Sequence, residues 1–570
     1  MVITAITLEN FKGIKGPCRI KLRPLTMLFG ANSAGKSSVV QALHYAREIF
    51  MRQNTDPDKT LLGGSMDLGG FSNMVYKHDQ SLPIKITFDL DLTLDPLPDY
   101  YDENASNRRE WEQHELREAV GRAKSASVVI TIELVDDNRL SPFAGHAAVT
   151  EYAVFVNGED LASFRLIPGD EQVRMYMNPL NSVFWNDPTD RLPLVQALAE
   201  KAMDPMGFDW SDLDEGAFLK YISFYESDVE RDEKFRLNCD PRLSLIKGPI
   251  VSNIASAFPV WERMLTFDGF FEFHFEGYDY DEEGREEYDI SPSLVIGCLT
   301  SLVTGPGEMV RNDLERMCYL GPIREVPQRN NVEVKSPDAS RWANGLAAWD
   351  ALYSQGDELI KKTNHWLAGD KRLDSGYRVE LEEFRRINEN GRLMAAIKSG
   401  RSLDDYPEEL KNILRQGPEK RLYLVEETKN IEVLPQDIGV GISQVVPVVV
   451  GSLVADMTIF AVEQPELHTH PRLQIGMGDL FIEVATRKGN CFIIETHSEH
   501  LMLRIMKRIR ETAEDDLPPG IAGITPDLVA VYYVESQEDG TVFNHIRIDD
   551  DGSFRDRWPH GFFEERDDEL

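Results

Sequence analysis

The chain has 570 residues, of which 97 are acidic and 61 basic, giving a formal net charge of −36. Such a surface repels nucleic acid at long range, so any DNA contact has to come from a local basic patch or a partner. Five cysteines, Cys18, Cys239, Cys298, Cys318 and Cys491, are scattered with no CxxC pair, which speaks against a disulfide framework or zinc knuckle and for a reducing cytoplasm.

At the start, "MVITAITLENFKG" lacks the basic region and long apolar core of a signal peptide. "ITAITLENFKGI" alternates as an edge-type strand, and "RIKLRPLTMLFG" supplies one or two more. A glycine-rich loop follows, then a helix, "SSVVQALHYAREIF", with Val39, Val40, Leu43, Ala46 and Phe50 on one face. "PIKITFDLDLTL" closes an N-terminal lobe, residues 1–94, as a further strand. Residues 95–315 are expected to form an insertion of mixed strands and helices. It opens on a polar excursion, "DPLPDYYDENASNRREWEQHE", and contains a helix, "RLPLVQALAEKAM", and an acidic loop, "EGYDYDEEGREEYD". Residues 316–570 form the C-terminal lobe. In it "RMCYLGPIREVPQR" reads as a buried strand and a turn, while "YRVELEEFRRINENGRLMAAI" and "RLYLVEETKNIEVLP" read as strands and hairpins. "VVPVVVGSLVADMTIFAV" contains Pro447, Gly451 and Asp456 and reads as a buried helix followed by a buried strand, not a membrane span. No internal repeat or long heptad run is visible.

Four motifs carry chemistry. "GANSAGKS", Gly30 to Ser37, matches G-x-x-x-x-G-K-[ST] between a strand and a helix, the context in which backbone N–H groups cradle phosphates. Gly30, Asn32, Ser33, Ala34, Gly35 and Ser38 shape that cradle; Lys36 is expected to reach the outer phosphates and Ser37 to hold Mg²⁺. Glu463 caps the apolar strand "MTIFAV" and is the candidate second metal ligand, with Gln464 beside it and Glu466 two residues on. His497 ends another buried strand, where it can donate to a γ-phosphate. "DIGVGISQVVPVVVGSL" places Gly441, Ser443 and Gln444 at a second helix start suited to an anion. One active site does not need two such starts, so a head-to-tail dimer closing each chain's second start over its partner's ATP is expected.

With these residues in view, "LENFKGI…LTMLFGANSAGKSS", "VEQPELHTHP", "IIETHSEHL" and "GVGISQVVPVVV" resemble ABC-type ATPases of the RecF, SMC and OLD group. "YLGPIREVPQR" and "RWPHGFFEE" are similar to a stand-alone prokaryotic subgroup linked to anti-phage defence. The resemblance covers residues 1–90 and 316–570. It implies an α/β, two-lobed ATPase head that uses ATP and Mg²⁺, with Glu463 as the Walker B acid, Ser443 as the signature contact across the dimer and His497 as the switch histidine. His470 falls where the D-loop aspartate sits in that group, and the chain offers no clear Q-loop glutamine. Gln464 falls on the catalytic glutamate, and a glutamine cannot accept a proton from water, although its amide can orient one. Glu466 could supply the missing base.

The expected function is therefore a cytoplasmic, slowly hydrolysing ATPase that dimerises, or forms a higher homo-oligomer, through its nucleotide. It would act as a sensor or scaffold switch answering a phage-derived trigger and controlling a separate nuclease or toxin, with no membrane association. A RecF-like DNA repair ATPase is the alternative, and direct DNA contact stays open. An OLD-like nuclease is the lesser alternative: Glu535, Asp549 and Asp551 are the tempting acidic fragments, but too little chain follows His497 for a Toprim domain as well as the last core strands.

Overall fold

A computed structural model of the chain describes residues 1–61, 64–100, 115–135, 146–166, 173–178, 181–184, 243–247, 256–259, 261–262, 265, 292–329, 338–402, 405–415, 417–454, 458–488 and 490–559. The core of the polar excursion, the helix expected in "RLPLVQALAEKAM" and the acidic loop "EGYDYDEEGREEYD" lie outside these residues. The class is α/β, as expected.

The larger sheet is antiparallel throughout, with order β2-β1-β4-β5-β6-β7-β8-β9. Its strands are β1 (Ile3–Glu9), β2 (Cys18–Lys21), β4 (Ile84–Asp91), β5 (Ser125–Val135), β6 (His146–Val156), β7 (Glu159–Leu166), β8 (Val173–Met177) and β9 (Leu243–Lys247), while β3 (Leu25–Gly30) leaves for the second sheet. β1 is not an edge: it pairs with β2 on one side and β4 on the other. Its alternation reports one buried and one wetter face, which interior strands of antiparallel sheets share with edges. The expected boundary at residue 94 separates β4 from β5, yet these two strands pair along their whole length, Ile84 with Ile132 through Asp91 with Ser125. The strands of the expected insertion thus continue the N-terminal sheet instead of standing apart from it.

The second sheet has order β10-β14-β15-β3-β16-β17, formed by β10 (Met317–Leu320), β14 (Ile459–Glu463), β15 (Cys491–Glu495), β3, β16 (Val529–Gln537) and β17 (Gly540–Ile546). All its pairings are parallel except β16 with β17. Both faces are covered, so its strands read as unbroken apolar runs. Ala461, Ile493 and Tyr532 face a core shared with helix α1 (Ser38–Arg52) and the antiparallel sheet. Phe460, Phe492 and Val531 face the helices Val440–Leu453, Pro471–Lys488 and Glu499–Ala513. Lying between two sheets, α1 is buried almost all round, not along a single stripe. The run around Pro447 is a buried helix followed by a buried strand, as its sequence indicates. A small hairpin sheet, β11 (Tyr377–Phe384), β12 (Glu419–Glu426) and β13 (Ile431–Val433), completes the C-terminal half. "GRLMAAI", read as part of a hairpin, instead lies on the helix Arg392–Lys398.

Parallel pairing brings the carboxyl ends of β10, β14, β15 and β3 to one edge of the sheet, the place where open α/β sheets bind ligands.

Candidate nucleotide site

β3 ends at Gly30, and the loop turns directly into α1 at Ser38. Gly30 has φ +140°, and a Cβ there would lie 2.2 Å from the Val534 carbonyl oxygen of the neighbouring strand. Gly35 has φ +100°, and its Cβ would come within 3.0 Å of Thr541 Oγ1. A side chain at either position meets both backbone strain and a neighbour. Thr541 on β17 braces the loop from behind: its N–H donates to the Gly13 carbonyl at 2.7 Å and its hydroxyl to the Ala34 carbonyl at 3.3 Å. Asn32 and Ser33 are exposed at the mouth, with Ser33 left-handed at φ 63°, while Ala34 and Ser38 are buried.

The Lys36 ammonium is buried and donates to the carbonyls of Gly30 at 3.0 Å and Ala31 at 2.9 Å. Ser37 donates its hydroxyl proton to Glu495 Oε2 at 2.7 Å. Glu463 and Glu495 are register partners at the ends of adjacent strands, so their side chains share a face about 4.8 Å apart along the sheet. Burial, and then the charge of Glu495, push the Glu463 carboxyl up to about 7. A hydrogen bond from Tyr319 and the Lys36 charge pull the other way. Two carboxylates and a hydroxyl at the mouth of a phosphate loop form an all-oxygen set suited to Mg²⁺.

Gln464 is left-handed, at φ 45°, and its N–H donates to the Glu495 carbonyl at 2.7 Å. Glu466 accepts from the His497 N–H at 2.6 Å, and burial raises its pKa. It therefore grips the backbone of the switch residue. Burial, followed by the nearby Lys36 charge, lowers the pKa of His497, and its Nε2 is buried without a hydrogen-bond partner. In the tautomer that carries its proton on Nε2, a neutral imidazole can donate to a phosphate oxygen. Glu463, Gln464, Glu466 and His497 are thus brought together with the loop.

The second helix start begins at Val440. Gly439 and Val440 are exposed, but Ser443 is buried and turns its hydroxyl to its own helix, donating to the Val440 carbonyl at 2.9 Å. Gly441 lies so close to the loop after β14 that a Cβ would be 3.0 Å from the His468 carbonyl oxygen. Gln444 faces inward: its amide nitrogen donates to the Arg324 carbonyl at 2.8 Å, and its oxygen accepts the Arg324 N–H at 3.3 Å.

Three residues of the site escaped the sequence reading. Arg324, in the turn after β10, is buried and donates through Nη2 to the carbonyls of Glu463 at 2.7 Å and Gln464 at 3.2 Å. Burial lowers its pKa to about 10, so it remains a cation at neutral pH. Arg324 thereby ties the second helix start to the end of β14, with its backbone on Gln444 and its guanidinium on Glu463 and Gln464. Tyr319 donates to Glu463. Glu495 had a signal in the sequence, since it caps an apolar strand just as Glu463 does. Arg324 had only the Gly-Pro turn before it. Replacing Arg324 by leucine should cost about 1.5–3 kcal/mol of stability, the usual worth of hydrogen bonds to a charged group, read as a lowered urea midpoint. Arg324→Lys should recover only part, because a compact, strongly hydrated ammonium is harder to bury than a guanidinium.

The acidic fragments near the end are engaged elsewhere. Glu535 lies on β16 within the core sheet, and Asp549 pairs with Arg555. Among the described residues there is no cluster of three or more His, Cys, Asp or Glu fit to hold a metal. No helix among them is long and apolar enough to cross a membrane.

A glycine-rich loop of the phosphate-binding pattern, a strand-end carboxylate and a histidine with an unpartnered nitrogen on one parallel sheet edge fit an α/β P-loop ATPase. Residues 1–190 and 355–502, more than half of the chain, match the AAA ATPase domain family (AAA_15), and the chain belongs to that family. Residues 524–570 match a second family model, described as a protein of unknown function (DUF3696). No curated protein matches the sequence. Solved structures similar to the chain include an SmcHead bound to the C-winged helix domain of ScpA, at 9% identity over 96% of this chain and 98% of that one, with a TM-score of 0.34. Another is an Smc head domain with an extended coiled coil bound to the C-terminal domain of ScpA from Pyrococcus furiosus, at 10% identity over 96% of each chain and a TM-score of 0.34. A third is the SMC head domain from Thermotoga maritima, at 7% identity over 96% of this chain and all of that one, with a TM-score of 0.33.

Proposed function

We propose that this ATPase is a nucleotide-held switch: two chains close head to tail over ATP, hydrolyse it slowly, and in the closed state control a separate effector protein. The observation that carries the reading is Gln464. It occupies the place next to the metal-binding carboxylate, with its backbone fixed by Glu495 and Arg324, and its amide has no capacity to take a proton from water. Ser37 and Glu463 would hold Mg²⁺, which when bound supplies positive charge to the outer phosphates. Lys36 binds those phosphates from the loop, His497 offers its free nitrogen to the terminal one, and Glu466 holds His497 in place.

A second phosphate-binding helix start on the same chain supports dimerisation. The exposed Gly439 and Val440 would reach the partner's nucleotide first, with Ser443 rotating out of its bond to Val440 on closure. The resemblance of "YLGPIREVPQR" and "RWPHGFFEE" to stand-alone prokaryotic ATPases supports a place in anti-phage defence, answering a phage-derived trigger and acting through a nuclease or toxin. The charge of −36 weighs against a RecF-like clamp on DNA. The use of β16 and β17 in the core sheet weighs against a nuclease within this chain.

Mixing chains that carry Ser443→Arg with chains that carry Lys36→Ala tests the geometry. In a head-to-tail dimer, both defects fall in one composite site and the other stays intact. ATP-dependent dimerisation should return in the mixture, measured by light scattering, where each variant alone fails. A mixture no better than its parts would count against closure across the dimer.

A further inference from the structure

The nucleotide site contains an acid that neither the phosphate loop nor the β14 motif supplies. Glu495 ends the strand between β3 and β14, opposite Glu463 in register. It is buried, takes the Ser37 hydroxyl proton at 2.7 Å, and has Lys36 Nζ 3.8 Å from its other oxygen. We propose that Glu495 is the second carboxylate of the magnesium centre: it fixes the Ser37 hydroxyl for the metal and supplies the negative charge absent at Gln464. The proposal rests on reading this place as a Mg·ATP site.

The geometry of a hydroxyl gives the reason. Serine has one O–H to donate and two lone pairs to offer. While the proton is committed to Glu495, both lone pairs are left for a cation. If the proton were free to rotate, the hydroxyl could equally turn it toward the metal and present the proton there in place of a lone pair. Glu495 is itself hard to displace. Its carbonyl accepts the Gln464 N–H at 2.7 Å, and the next N–H, of Thr496, donates to the Leu28 carbonyl of β3 at 3.1 Å. The strand end is thereby bonded on both sides, and the carboxylate projects from a rigid element. Placing the second carboxylate here, on the neighbouring strand, lets position 464 be a glutamine without leaving the metal site short of charge. It also separates two duties that one strand end would otherwise share: holding the metal, done by Glu463 and Glu495, and handling water, left to Gln464 and Glu466.

The test uses Mn²⁺ as the metal and an ATP analogue with a non-hydrolysable β–γ bridge. Free Mn²⁺ is followed by its electron paramagnetic resonance signal, and nucleotide binding is measured separately in EDTA. In Glu495→Gln the affinity for Mn²⁺ in the presence of the analogue should fall about 10–100-fold, as for other residues that orient metal ligands, while binding of the analogue in EDTA does not fall with it. Native-like metal affinity in the variant overturns the proposal. An equal loss with and without metal also overturns it, because Glu495 would then serve Lys36 and not the metal. If Glu495→Gln does not fold, Glu495→Asp carries the test: the charge is kept but the reach to Ser37 is shortened, and an unchanged Mn²⁺ affinity there overturns the proposal in the same way. A native chain that binds neither the analogue nor the analogue with Mn²⁺ would sink the ATPase reading itself, a result distinct from the others.

Discussion

Lys36→Ala weakens ATP binding by at least about a hundredfold. The Lys36 ammonium is 3% exposed, is anchored on the carbonyls of Gly30 and Ala31, and lies beside Glu495. Phosphate oxygens entering the loop offer it stronger, charge-assisted partners than those carbonyls. Hydrogen bonds to charged groups are worth about 1.5–3 kcal/mol each, so losing two of them weakens binding by roughly 10²–10⁴-fold. The removal also leaves Glu463 and Glu495 facing the phosphates with no cation of the chain between them, which adds repulsion to the lost attraction. Equilibrium dialysis with labelled ATP reads the result directly, and an unchanged affinity would contradict the whole assignment of the site.

Two substitutions close to Glu463 should move the turnover rate in opposite directions. Gln464→Glu restores a side chain able to accept a proton, and general-base catalysis is worth about 10²–10⁴ in rate. Hydrolysis should rise toward that range, and the proposed ATP-bound dimer should be shorter-lived in step. The left-handed backbone at Gln464 is bonded through its own N–H and carbonyl, so the change is confined to the side chain. Glu466→Gln asks the complementary question. Its amide oxygen can still accept the His497 N–H, which keeps the switch in place while removing the charge. If Glu466 is the base, turnover disappears and ATP binding remains. Brisk hydrolysis by the native chain that survives Glu466→Gln would rule out both accounts.

The parts of the site that could be read in the sequence are those whose chemistry is local. The phosphate loop announces itself because Gly30 and Gly35 adopt backbone angles that few other residues tolerate, and because a strand and a helix flank them. Glu463 and His497 are legible because an abrupt polar residue after a buried run marks the end of a strand. The unrecognised part is relational. Arg324 is one arginine among many until the fold places its guanidinium on the carbonyls of Glu463 and Gln464, and its backbone on Gln444. Glu495 shows the same strand-end signal as Glu463, but it was passed over for the histidine two residues on. At the level of the fold, the parallel sheet was legible from its apolar runs. The antiparallel sheet was divided too early, because hydropathy carries no information about which strand pairs with β4. Only the paired register of β4 and β5 shows that residues on either side of the expected boundary belong to one sheet.

Thr541 and the Ala34 carbonyl it braces lie 507 positions apart in the chain, and β3 has β16 as one of its two neighbours. A ribosome therefore makes the phosphate loop long before the strands that brace it. Until residues 529–546 emerge, β3 lacks a strand along one side, and nothing stands behind Gly35. Contacts this distant in sequence form late, after the loop-closure entropy has been overcome. Nascent and prematurely ended chains should thus carry the complete GANSAGKS motif and yet be unable to hold ATP. For a protein whose bound state would be its signal, that order of events keeps unfinished copies silent.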